Sequence, residues 1–315
     1  MTPASYAAPM SDVLPRIRPQ TPDHREYRLT APDGRTLAVA EWGDPTGIPV
    51  ISHHGTPGSR ISYWQDGSID ARHGLRRITF DRAGYGESTR NPGRSIADVV
   101  PDVATIADAL GIDRFVAVGG SGGGPHVLAT AALLGERVMR CMAVVSLAPI
   151  DAGFDLSEGM NAGNVEEFRA AMEGEAAFRP VAEREAATTL QRLREGRVDW
   201  LGDSYEMSDA DREEMAKDLE ATLDDFEHSL AHGVDGWVDD MLAAVKPWGF
   251  DLDRVTVPLQ IRYGRTDNLV PPRHGDWLAA RLPHADVVVT EAGHLAGEAA
   301  LESIYRWLAT GRRED

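Results

Sequence analysis

Cysteine is nearly missing from this 315-residue chain: Cys141 stands alone, so no internal disulfide can form. That scarcity fits a reducing compartment, and a cytoplasmic location is the expectation. Cys141 opens an apolar run, Cys141-Met142-Ala143-Val144-Val145-Ser146-Leu147, that reads as a buried strand with the thiol acting as a small hydrophobe. Also missing is any apolar stretch near the ~20 residues that span a bilayer. Residues 1–25, proline-rich and carrying Asp12, Arg16 and Arg18, lack the apolar region of a secretion signal and read as an N-terminal tail. There is no basic excess either. A formal charge of −18 repels nucleic acid and anionic membranes, so neither is an expected partner. No grouping of His, Asp and Glu has metal-ligand spacing, and no glycine-rich segment carries the lysine and Ser/Thr of a phosphate loop. What remains is a small-molecule substrate, no metal and no cofactor; a homodimer is left open.

The acidity that is present sits in one place. Between Asp151 and Asp240 there are 25 Asp/Glu against 8 Lys/Arg, which accounts for all but one of the net negative charges. Outside that segment, strand-like and helix-like stretches alternate in the manner of a mainly parallel sheet. Strands are expected at Glu26–Thr30, Leu37–Trp42, Pro49–His53, Arg76–Phe80, Phe115–Val118, Met142–Leu147, Leu259–Tyr263 and Asp286–Thr290. Ala31-Pro32-Asp33-Gly34 makes the first two a hairpin. Helical periodicity covers Ile96–Leu110, Val127–Leu134, Arg273–Arg281 and Glu298–Leu308. The acidic segment offers helices at Val165–Met172, Val181–Arg194, Ala210–Leu230 and Trp237–Val245 and no strand. The expected organisation is therefore a core domain from 26–150 and 246–315, interrupted by an acidic helical cap over 151–245.

One segment carries chemistry on its face. After the strand Phe115–Val118 come Gly119-Gly120-Ser121-Gly122-Gly123-Gly124-Pro125, and then a helix. A serine at such a strand-to-helix corner is a nucleophile elbow, with glycines where the turn is strained and neighbours come close. A serine hydroxyl needs a base, and the base needs a carboxylate to orient it. His294, in Glu291-Ala292-Gly293-His294-Leu295, and Asp267, in Gly264-Arg265-Thr266-Asp267-Asn268-Leu269-Val270-Pro271, each follow an expected strand. Asp151 is the other place for the acid. His53-His54-Gly55-Thr56-Pro57-Gly58-Ser59 follows the third strand, and the backbone N–H groups of Thr56 and Gly122 are the expected donors to a developing oxyanion. His53 and His126 read as packing residues near this site, and Asp81 and Arg82 as residues that fix the turn after the fourth strand.

With His54-Gly55-Thr56-Pro57-Gly58, Asp81-Arg82-Ala83-Gly84-Tyr85-Gly86-Glu87-Ser88, the elbow, Gly264 to Pro271 and Gly293-His294 in this order, the chain resembles the α/β-hydrolase superfamily over 26–150 and 246–311. The resemblance implies a three-layer α/β fold, an eight-stranded and mostly parallel sheet, a cap inserted after the sixth strand, and catalysis without a cofactor. Members cleave carboxylic esters most often; relatives act on amides, lactones, epoxides, haloalkanes and carbon–carbon bonds. Ser121 at the elbow, in place of aspartate, sets aside epoxide hydrolases and haloalkane dehalogenases. The His-Gly-x-Pro-Gly loop is similar to that of prolyl aminopeptidases, whose acidic cap groups hold a free amino terminus, but Gly122 stands where those enzymes usually have tryptophan. The expected activity is serine esterase or lactonase. Aminopeptidase, carbon–carbon bond hydrolase, hydroxynitrile lyase and a non-catalytic receptor stay as alternatives. The substrate wall is expected among the cap's large apolar residues: Phe154, Met160, Phe168, Phe178, Trp200, Tyr205, Met207, Trp237 and Met241.

Overall fold

Alternation of side chains along the central strands builds two apolar layers from one sheet. Val50, Val116, Val118 and Met142 face one side, and their neighbours Ile51, Phe115, Ala117, Cys141 and Ala143 face the other. The computed structural model describes residues 24–62, 67–197, 199, 201 and 204–313. The expected tail falls outside them except for its last two residues, and so does the candidate Trp200.

Eight strands form, in chain order β1 (Arg25–Thr30), β2 (Thr36–Gly43), β3 (Ile48–His53), β4 (Leu75–Phe80), β5 (Phe115–Gly120), β6 (Val138–Val144), β7 (Leu259–Gly264) and β8 (Asp286–Thr290). Their order across the sheet is β1-β2-β4-β3-β5-β6-β7-β8. The pairs β1/β2 and β2/β4 are antiparallel and the other five are parallel. The chain leaves β3 toward β4 on one side and returns as β5 on the other. The loops after β3 and β5 therefore diverge around a crevice at the carboxyl edge of the sheet, the usual place for a ligand in an open α/β sheet.

Helices α1 (Gly67–Arg72), α2 (Val100–Ala109), α3 (Gly123–Leu133), α9 (Pro272–Arg281) and α10 (Glu298–Thr310) accompany the strands. α3 and the turn Ile96–Val99 supply Val127, Leu128 and Ile96 to one apolar layer, while α10 covers the other with Ile304, Trp307 and Leu308. Between β6 and β7 lie α4 (Ala162–Glu173), α5 (Glu175–Arg194), α6 (Asp209–Met215), α7 (Leu219–Ser229) and α8 (Asp235–Ala244). This insertion has its own apolar cluster, including Phe168, Phe178 and Trp237, which is continuous with Tyr85 after β4.

Two elements differ from the expectation for identifiable reasons. β6 begins four residues early because Arg140 is accommodated inside it: the guanidinium caps α10 by donating to the Leu308 and Ala309 carbonyls. It ends early because Val145 adopts φ 44, a left-handed conformation that leaves the strand. The single helix expected over 210–230 is broken by a 3₁₀ turn at Ala216–Asp218, where the Asp218 side chain accepts the Ala221 N–H at 2.9 Å and starts α7 afresh. Among the described residues, no helix is long and apolar enough to cross a membrane.

Candidate active site

Ser121 sits between β5 and α3 at φ 53, a strained conformation for a residue with a β-carbon. Its N–H donates to the Val144 carbonyl at 2.9 Å and its carbonyl accepts the Gly124 N–H at 2.9 Å, so the corner is fixed from both sides. Gly122 is obligatory here. A β-carbon on it would lie 2.2 Å from Thr56 Oγ1 and 3.2 Å from Thr56 N, which places the loop after β3 directly against the elbow.

That loop is oriented by buried polar groups. The Arg82 N–H donates to His54 Nε2 at 3.1 Å, so the His54 proton resides on Nδ1 and is donated to the Gly55 carbonyl at 2.8 Å. Arg82 also donates to the His54 carbonyl, and its Nη2 donates to the Gly55 carbonyl at 2.7 Å. Because the Gly55–Thr56 peptide is planar and trans, anchoring its C=O turns the Thr56 N–H the opposite way. Gly122 stands at the N-cap of α3, where a backbone N–H has no intrahelical acceptor. The Thr56 and Gly122 backbones thus lie against each other beside Ser121.

On the other side, Asp267 follows β7 and His294 follows β8. Asp267 is buried, accepts the Leu269 and Val270 N–H groups on Oδ1 at 2.9 Å each, and accepts His294 Nδ1–H on Oδ2 at 2.8 Å. This fixes the tautomer and leaves Nε2 as the basic nitrogen of the ring. Burial alone would depress the His294 pKa; the Asp267 carboxylate and, behind it, Asp211 overcome that and raise it above the ordinary 6.5. Asp151, by contrast, is exposed at the start of the insertion.

Ser121, His294 and Thr56 line one cavity of about 370 Å³. Ser121 and His294 share this space, with no hydrogen bond between them among the described residues, a looseness common before substrate binds. Val145, the other described non-glycine residue at positive φ, lines the same cavity. The insertion contributes the far wall. Tyr205, Met207 and Trp237 line it, whereas Phe168 and Met241 line a smaller adjoining cavity of about 60 Å³ behind Gly122. Phe154, Met160 and Phe178 take other positions. Phe154 packs edge-on to His274 at 5.3 Å, while Met160 and Phe178 are buried in the insertion's own core. An apolar helix face must be covered, but periodicity does not say by what.

Sequence reasoning missed the acids. Glu167, Glu185 and Asp225 line the large cavity, and no lysine or arginine does so among the described residues. Burial raises the Glu167 carboxyl to about 7, partly offset by the Tyr205 hydroxyl that donates to it. Asp225, partly buried and accepting from Ser59 and Ser62, is raised by desolvation to about 6. Two further acids of the insertion, Asp211 and Asp240, touch the loops that carry His294 and Thr56. His53 and His126 are packed as expected: His53 Nε2 lies 3.1 Å from Thr130 Oγ1, and His126 Nδ1 lies 2.8 Å from the Gly122 carbonyl. Burial depresses His126 to about 3, so it stays neutral.

The model of the alpha/beta hydrolase fold matches residues 48–299. A non-heme chloroperoxidase of Streptomyces lividans is 27% identical over 257 residues, covering 77% of this chain and 83% of that protein. A proline iminopeptidase of Xanthomonas citri is 32% identical over 126 residues, covering 39% of each. Among solved structures, a hydrolase from Pseudomonas aeruginosa superposes with a TM-score of 0.67 at 20% identity, covering 91% of this chain and 98% of that one.

Proposed function

We propose that this chain, which belongs to the alpha/beta hydrolase fold family, is a cofactor-independent serine hydrolase that cleaves small or medium carboxylic esters or lactones through an acyl-enzyme. One observation supports the reading: His294, held by Asp267 at 2.8 Å, lines the same cavity as a strained Ser121. In this mechanism Ser121 Oγ bonds to the substrate carbonyl carbon while His294 Nε2 takes the hydroxyl proton. The Thr56 and Gly122 N–H groups stabilise the tetrahedral oxyanion. The carbon–oxygen bond to the leaving alkoxide then breaks, and His294 returns the proton to it. Water repeats the sequence in reverse roles and frees the acid. Asp267 holds His294 in the required tautomer and stabilises the imidazolium.

An organophosphonate should label Ser121 stoichiometrically, as read by mass spectrometry. The labelling rate should rise with pH through an inflection above 6.5, because protonated His294 cannot act as base and the Asp267 carboxylate favours the protonated form. Absence of labelling, or labelling elsewhere, refutes the assignment.

The acid-lined wall favours a second reading of the substrate, one bearing a fixed positive charge or an amino group, as an aminopeptidase would accept. Glu167 stands beside Tyr205, in a cavity that Trp237 also lines, so charge attraction and aromatic faces act together there. Butyrylcholine and 3,3-dimethylbutyl butyrate have the same shape and differ in charge, and the charge lies in the alcohol part, away from the carbonyl carbon. The cationic ester should be preferred in kcat/KM by about 10- to 100-fold. Selectivity should grow as pH rises through about 7, where Glu167 ionises. Equal turnover of the pair removes this second reading and leaves the first.

A further inference from the structure

We propose that the insertion between β6 and β7 braces the reaction machinery, with Asp240 of α8 positioning the Thr56 loop and Asp211 of α6 positioning the His294 loop. The inference rests on the hydrolase reading of Ser121. It assigns both aspartates as positioning residues, acting through the groups that meet the substrate.

Asp240 is 3% exposed and accepts from four side chains that belong to different parts of the chain. Thr56 Oγ1 donates to it at 2.7 Å, Tyr85 OH at 2.9 Å and Arg94 Nη2 at 2.6 Å. Arg82 donates through Nε at 3.3 Å and through Nη2. The same Arg82 holds the Gly55 carbonyl, so Asp240 controls the Gly55–Thr56 peptide twice, through the guanidinium and through the threonine hydroxyl. Burial alone would keep the Asp240 carboxyl neutral, but Arg82 and Arg94 hold it well below the carboxylate range.

The helix comes this close because glycine meets glycine. Gly236 N–H donates to the Gly84 carbonyl at 3.1 Å, and a β-carbon on Gly236 would lie 2.5 Å from the Tyr85 ring. Trp237, three residues before Asp240 and on the same helical face, lines the substrate cavity. One helical turn thus joins the wall that meets the substrate to the donor that meets its oxyanion.

Asp211 does the corresponding work for the base. It is 1% exposed at the start of α6, accepts the His294 N–H on Oδ2 at 3.0 Å and accepts the Leu295 N–H on Oδ1 at 2.7 Å. Ser208 Oγ donates to it at 2.8 Å. The backbone on both sides of the His294 α-carbon is held by one carboxylate. The charged groups acting on the imidazole are Asp267, from the loop after β7, and Asp211.

The test uses the full chain and p-nitrophenyl butyrate, with melting curves on every variant. D240N should lower kcat by about 10- to 100-fold while KM stays within about threefold, because the oxyanion contact strengthens only in the transition state. T56V should fall in the same direction, by no more than D240N, and T56S should recover to within about threefold of the wild type; D240N/T56V should be no worse than D240N, since the hydroxyl contact that T56V removes is one of the two by which Asp240 holds the peptide. D211N should move the midpoint of the kcat/KM pH profile downward, because removing an anion beside His294 lowers its pKa. A D240N kcat within twofold of the wild type, losses that add fully in the double variant, or an unmoved D211N midpoint overturns the inference and leaves the hydrolase reading standing. If D240N melts below the assay temperature, T56V decides for Asp240: undiminished kcat there overturns it. A wild type inert to esters and unlabelled at Ser121 overturns both.

Discussion

Ser121→Ala should abolish ester hydrolysis, lowering kcat by about 10⁴-fold or more, with the melting temperature within a few degrees of the wild type. The size follows from what is lost. Without Oγ there is no atom to form the acyl bond, and only the oxyanion donors and substrate binding remain to act on direct attack by water. The small effect on stability follows from the local structure. Alanine keeps the β-carbon that makes φ 53 strained, so the strain is unchanged, and Ser121 is only partly buried. The backbone bonds to Val144 and Gly124, which hold the corner, do not involve the side chain. Initial rates on p-nitrophenyl butyrate beside a thermal melt decide it. Turnover within tenfold of the wild type, from a variant that melts normally, assigns the chemistry to another residue.

What the chain discloses in advance is what lies close together along it. Each βα junction that bears a reactive group writes its own local signal: apolar residues of a strand, a turn rich in glycine, then a helix. For that reason all eight strands, the elbow and the loops of Thr56, Asp267 and His294 are visible before any coordinates. Order across the sheet is not local, and it follows only from the resemblance. The insertion is harder still. Its helices announce themselves by periodicity, but the partners of Asp240 and Asp211 stand 184 and 83 residues away, on the core loops. In sequence, Asp211 reads as part of an ordinary helix start after Ser208, and it does occupy that position. Its second task, holding the His294 loop, has no local trace. Asp240 is likewise one acid among 25 in its segment until its four side-chain partners single it out. Phe154 is the reverse case: a large apolar residue in the right segment that packs against Arg273 and His274 and lines neither cavity.

Asp267→Asn should cost about 10⁴-fold in kcat at neutral pH with little change in KM, whereas Asp151→Asn should stay within about twofold. Asparagine is nearly isosteric, and its carbonyl can still accept the Leu269 and Val270 N–H groups that Asp267 Oδ1 accepts now. Its amide then faces His294 Nδ1 in place of Oδ2. Since that amide donates, the ring must accept on Nδ1 and carry its proton on Nε2, the nitrogen needed to receive the proton from Ser121. The base is present but in the wrong tautomer, and the imidazolium that forms during attack has lost its counter-charge. The residual activity carries a second signature. Asp267 is the strongest influence raising the His294 pKa against burial, so its removal should shift the pH profile of the remaining activity to lower pH. Asp151 is exposed at the start of the insertion and takes part in none of these bonds, which gives its substitution little to disturb. A D267N variant that keeps more than a tenth of the activity, or a D151N variant that loses a hundredfold, would transfer the acid's role from the loop after β7 to the start of the insertion.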